Sequence, residues 1–76
     1  MEKETFLELI RNQFEETIPQ DISLVTIFKN LKEYDSMVAL CIIAAVDQTY
    51  GIKIGGDEIR GSSTIEDLFQ IVSSKL

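Results

Sequence analysis

The run Met37-Val38-Ala39-Leu40-Cys41-Ile42-Ile43-Ala44-Ala45-Val46, ten residues without a charge in a chain of 76, limits the possible folds more than any other feature. Ten residues are too few to cross a bilayer, which takes roughly 18 to 20, so the run must be covered by the rest of a small globule. Asp35-Ser36 precede it, and either side chain accepts a hydrogen bond from the free amides of a helix start; Tyr50-Gly51 close it. The segment is expected to be a helix from Asp35-Ser36 to about Tyr50, buried on most sides. Ile42, Ile43, Val46 and Tyr50 make its core stripe. A second stripe, Met37, Leu40, Cys41, Ala44 and Ala45, then lies partly outside the core. A domain this small buries only about 60% of the surface its unfolded chain exposes. Part of the second stripe is therefore expected to remain accessible and to serve docking, with packing as the alternative role for Leu40 and Cys41.

The other segments supply the cover. Phe6, Leu7, Ile10 and Phe14 fall at helical spacing with Glu8, Arg11, Glu15 and Glu16 opposite, predicting an amphipathic helix from about Glu4 to Glu16. Pro19 lacks an amide proton and disfavours helical geometry at Ile18, so this helix should stop near Thr17. From Pro19 to about Asp35 the pattern is irregular. A long loop with one short helical turn is expected there, its apolar residues Ile22, Leu24, Val25, Ile27, Phe28 and Leu31 pinned to the core. Gly51 to Gly56 alternates too briefly for a sheet and finds no partner strand, and Asp57-Glu58-Ile59-Arg60 suits one helical turn. The last helix should start at Thr64, or at Ser63 with Glu66 as a capping box, and bury Ile65, Leu68, Phe69 and Val72. The expected fold is all-α: a single-domain four-helix bundle of three main helices and one short one, with a long first loop.

Composition excludes several functions. With one cysteine, Cys41, and no histidine there is no internal disulfide, no thiolate metal cluster and no histidine-based catalytic triad or metal site. The four glycines match neither phosphate-loop nor dinucleotide spacing. Asp57, Glu58, Glu66 and Asp67 lack the alternation of a calcium loop and read as helix-end acids. An enzyme is not expected. Thirteen acids against seven bases give a net charge of −6, which opposes nucleic-acid binding and favours basic protein partners. Met1-Glu2-Lys3-Glu4 lacks the basic-then-apolar order of a secretory signal. A cytoplasmic, monomeric protein without a membrane span is expected.

Cys41 has no cation flanking it in sequence to lower its thiol pKa and reads as a small apolar side chain. Ser36 stands in a different context. A serine at a helix start is most often a cap, but this one follows Asp35, ends a long connector and opens an apolar stripe. A phosphodiester on its hydroxyl would lie at a helix N-terminus, whose free amides and partial positive charge suit phosphate.

Asp35-Ser36-Met37 resembles the Asp-Ser-Leu signature of acyl carrier proteins, in which the serine bears 4′-phosphopantetheine. Tyr50-Gly51-Ile52-Lys53-Ile54 resembles that family's Phe-Gly-Ile-x-Ile, Thr64-Ile65-Glu66-Asp67-Leu68 its closing helix start, and Phe28 stands where a core phenylalanine is common. The likeness covers almost the whole chain. It implies an acyl-carrier-like bundle whose Ser36 receives the arm from coenzyme A through a phosphopantetheinyl transferase. Asp35 would help hold the transferase's magnesium, and Asp35 and Met37 would be recognised by it. The arm's thiol would carry a thioester-linked group, loaded by an acyl- or aminoacyl-activating enzyme and presented to synthase or transferase enzymes. Met37, Leu40, Cys41 and Ala44 are the candidate docking residues.

The departures are specific. Leu31-Lys32-Glu33-Tyr34-Asp35-Ser36 is one residue longer than the family's Leu-Gly-x-Asp-Ser and lacks its glycine. Between Met37 and Gly51 the only acid is Asp47, where the family carries several, and Cys41 replaces a common glutamate. Apolar contact should therefore outweigh charge in docking, which implies a specialised fatty-acid, polyketide-like or secondary pathway. An aminoacyl or peptidyl carrier is the alternative within the class. From another class, an unmodified helical adaptor would bind partners through the same stripe.

Overall fold

The computed structural model describes all 76 residues, Met1–Leu76. Four helices, α1 (Lys3–Arg11), α2 (Ser36–Tyr50), α3 (Gly56–Arg60) and α4 (Ile65–Ser74), make a small all-α bundle in which α3 is the short member, and 3-10 turns at Pro19–Asp21 and Phe28–Asn30 punctuate the first loop. No strand forms; the nearest thing is an isolated antiparallel bridge between Ile27 and Thr64. No helix is long and apolar enough to cross a membrane.

Fourteen apolar residues form one buried cluster. Phe6, Leu7 and Ile10 of α1 meet Ile65, Leu68, Phe69 and Val72 of α4, as the i, i+3, i+4 spacing predicts. Phe6 and Phe69 pack edge to face with centroids 5.7 Å apart, and the Tyr50 ring lies 6.3 Å from that of Phe6. The two amphipathic helices thus enclose the interior while α2, the most apolar segment in sequence, gives it only two fully buried residues, Ile42 and Val46. Ile43 and Tyr50 are half-buried against the core.

The first helix ends earlier than its sequence period suggests, at Arg11 and not near Thr17. The amides of Gln13 and Phe14 turn back to the carbonyls of Ile10 and Arg11, a tightened last turn that still buries Phe14. Beyond it the amides of Glu15, Glu16 and Thr17 donate to the Glu33 carboxylate. The helix has thus already ended before the residues whose amides Glu33 takes, and that side chain, 16 to 18 residues away, holds the segment that follows. Pro19 then opens a 3-10 turn, where its missing amide costs nothing.

The connector also departs from expectation. It holds two short turns in place of one, and although Ile22 and Phe28 are fully buried, Val25 and Ile27 are exposed. Here backbone pairing fixes the path: the Leu24 carbonyl accepts the Glu66 amide and Ile27 bridges Thr64. At the start of α4 the reciprocal cap is Thr64 with Asp67, and not Ser63 with Glu66. Asp67 accepts the amides of Ser63 and Thr64, and Thr64 Oγ1 accepts the amide of Asp67. Glu66 is engaged elsewhere, 2.8 Å from Lys3 Nζ on α1.

Candidate functional site

The start of α2 is set by Asp35. Its backbone is extended (φ −153°, ψ −173°), and its Oδ1 accepts the Val38 amide at 2.9 Å. Asp35 is therefore the cap, and Ser36 is the first helical residue, exposed and not used for capping. As first and second residues of the helix, Ser36 and Met37 carry amides with no partner within the ladder. They lie at the positive end of a 15-residue helix. An exposed hydroxyl beside free amides and a carboxylate is suited to accept and hold a phosphoester.

The stripe that follows is open. Met37 is 66% and Leu40 59% exposed, Cys41 and Ala44 are exposed as well, and Ala45 is half-buried. These residues share the outer face of α2, opposite Ile42 and Val46. Asp47, the one acid of α2, is held 3.1 Å from Lys53 Nζ near the far end. The face running from Ser36 thus carries no charge until that ion pair. No three histidine, cysteine or acidic side chains gather as a metal site.

Beside Ser36 a cleft of about 480 Å³ separates the chain after α1 (Gln13, Glu15, Glu16) from Lys32, Glu33 and Asp35 and from Met37, Val38 and Cys41 of α2. Glu33 ties its two walls together. One carboxylate oxygen accepts the Thr17 amide and hydroxyl, each at 2.7 Å, and the Glu16 amide at 3.0 Å; the other accepts the Glu15 amide at 3.1 Å. Desolvation opposes ionisation of this carboxyl. The bonds from the Thr17 hydroxyl and from the three amides outweigh it and hold its pKa below the ordinary glutamate value. Next to it Tyr34 packs edge to face on Phe28, centroids 5.5 Å apart; burial, with the nearby Asp35 charge, pushes its phenol up.

Sequence reading located Asp35, Ser36, Met37, Leu40, Cys41 and Ala44, and the fold puts all six on α2 or its cap, at one exposed end and face. It missed Glu33 and the partners Glu15, Glu16 and Thr17. The one available signal was the extra residue in Leu31-Lys32-Glu33-Tyr34-Asp35, which marks an unusual path without naming what fills it. A scan against protein-family models, a search of curated proteins and a search of solved structures each return no match for this chain.

Proposed function

We propose that the protein is a carrier: its Ser36 hydroxyl accepts a 4′-phosphopantetheine arm, and the protein presents the group borne by that arm to partner enzymes. The observation that carries this reading is Ser36 itself, exposed as the first residue of α2 while Asp35 takes over the capping. A serine needed as a cap would be engaged with the backbone; this one is left available.

In the attachment step the Ser36 oxygen forms a bond to phosphorus as the pyrophosphate linkage of coenzyme A breaks. The hydroxyl proton passes to the transferase, and the adenosine bisphosphate leaves. Asp35 immediately precedes Ser36, and its cap bond uses Oδ1 alone, which leaves Oδ2 suited to a magnesium ion brought by the transferase. The free amides of the first turn stabilise the resulting phosphodiester. When attached, the arm supplies a terminal thiol for a thioester. The fold gives the arm an anchored base, and tethering raises the local concentration of its cargo at a partner's active site. Met37, Leu40, Cys41 and Ala44 provide the docking face, and its lack of charge favours apolar recognition and a specialised pathway for an acyl-type group. A cytoplasmic site of action fits the need for coenzyme A.

The test is intact mass after incubation with coenzyme A, magnesium and a broad-specificity transferase. Wild type should gain one arm and Ser36→Ala none. No gain in wild type, with a control carrier modified in the same tube, would leave the exposed face of α2 as that of an unmodified adaptor. If modification occurs, loading trials with acyl and aminoacyl donors decide between an acyl and an aminoacyl or peptidyl carrier.

A further inference from the structure

Glu33 makes four hydrogen bonds to a segment 16 to 18 residues upstream and sits three residues before Ser36. We infer that Glu33 is a positioning residue for modification of Ser36: it holds the 15–17 segment against the start of α2, so that a transferase meets both walls of the cleft as one preformed surface. The inference rests on the carrier reading and adds a residue which the resemblance does not supply.

Three observations converge on it. The tie is the polar connection between those walls, because Glu15, Glu16 and Thr17 all give their amides to the same carboxylate. The cleft it spans reaches Asp35 and Met37, the two residues that flank Ser36 in the chain, and is lined also by Glu33, Gln13, Glu15 and Glu16. Finally, α1 has stopped at Arg11, so residues 15–17 have no helical ladder to hold them once the carboxylate is removed. Charges around the tie are those of Glu15, Glu16 and Asp35 with the single cation Lys32. Loss of Glu33 leaves the carboxylates of Glu15 and Glu16 without the bonds that fix their backbone, and the wall they form becomes an ensemble.

A binding surface populated only part of the time weakens apparent affinity by that fraction while leaving chemistry in the complex unchanged. Glu33→Ala should therefore raise the transferase KM for the apo protein about tenfold, if the competent state falls to about a tenth, with kcat within twofold of wild type. Glu33→Gln retains one acceptor oxygen for the Thr17 and Glu16 donors and should recover most of the loss. Thr17→Val removes only the hydroxyl bond and should fall between wild type and Glu33→Ala. In parallel, amide exchange at residues 15–17 should speed up in Glu33→Ala while that of the α4 core amides is unchanged.

A wild-type KM in Glu33→Ala with fast exchange at residues 15–17 overturns the inference and leaves the carrier reading standing. A raised KM in Glu33→Ala accompanied by equally faster exchange of the α4 core amides, marking a smaller folded fraction, overturns it also. If Glu33→Ala does not fold, the order of KM among wild type, Glu33→Gln and Thr17→Val decides, and equal values refute it. Failure of wild type to gain mass overturns the carrier reading and this inference together.

Discussion

The Glu33 carboxylate lies 2.7 Å from both the amide nitrogen and the hydroxyl of Thr17, joining the chain beyond α1 to the approach of α2. A carboxylate that accepts several hydrogen bonds in the native state binds its proton less readily than in the unfolded chain. Stability linked to it is fully present above the ordinary glutamate value of 4.5 and is lost as pH falls through the lowered native value. Glu58, through the Gly55 amide and Lys75, shifts the same way, as do Glu66, through Lys3, and Asp67, through the amides of Thr64 and Ser63. Urea midpoints should be flat from pH 7 to about 5 and fall below about 4.5. Glu33→Gln should lower the plateau and shallow the fall; an unchanged profile would show that Glu33 is not linked to folding.

Asp35 combines a cap with a proposed metal contact, and two substitutions separate them. Asp35→Ala removes the acceptor for the Val38 amide and should destabilise the protein by about 1 kcal/mol. Asp35→Asn keeps an acceptor and should cost a few tenths at most. Both should slow modification of Ser36, because neither retains a carboxylate beside it. Thermal melts measure the first effect and the rate of mass gain the second. An Asp35→Asn protein modified at the wild-type rate would confine Asp35 to capping.

Much of this molecule is legible in the sequence wherever the determinant is local. Ile65, Leu68, Phe69 and Val72 announce α4 by spacing alone, and all four are buried; Asp35 and Gly51 bracket α2 at the expected residues. The length of α1 is not local. Phe14 continues the apolar period, yet the helix has already ended at Arg11, the amides of Gln13 and Phe14 turning to Ile10 and Arg11 and those of residues 15–17 going to Glu33. The cap of α4 shows the same limit: Ser63 with Glu66 fits the Ser/Thr-x-x-Glu pattern, yet Thr64 with Asp67 forms the cap while Glu66 pairs with Lys3, more than 60 residues away. In the ten-residue run, absence of charge could not tell covered from open. The spacing of Ile42 and Val46 marked the inner face, but only the bundle's small size leaves Met37 and Leu40 outside.

Gly51 ends α2 with φ +69° while its amide donates to the Asp47 carbonyl at 2.8 Å. A Cβ built there meets nothing within 4 Å, so Gly51→Ala should cost only the left-handed backbone, about 1 kcal/mol. In a chain of this size that corresponds to a fall in Tm of about 4–8 °C. Gly51→Asn should cost less, since asparagine tolerates this conformation better. A Gly51→Ala melt at the wild-type temperature would mean that the helix can close in another way.

The two faces of α2 should respond oppositely to truncation. Ile42 is fully buried, and Ile42→Ala should cost about 2–5 kcal/mol, from lost burial and the cavity left behind. That is a large share of the roughly 4–11 kcal/mol available to a domain of this length. Leu40 is 59% exposed on the other face, and Leu40→Ala should change stability by no more than about 0.5 kcal/mol, since alanine also favours the helix. Denaturant midpoints at constant slope measure both. If Leu40→Ala costs as much as Ile42→Ala, the outer stripe is covered in solution and cannot be the free docking face of a carrier. If it is silent in stability yet weakens transfer from a loaded arm, Leu40 acts on the partner and not on the fold.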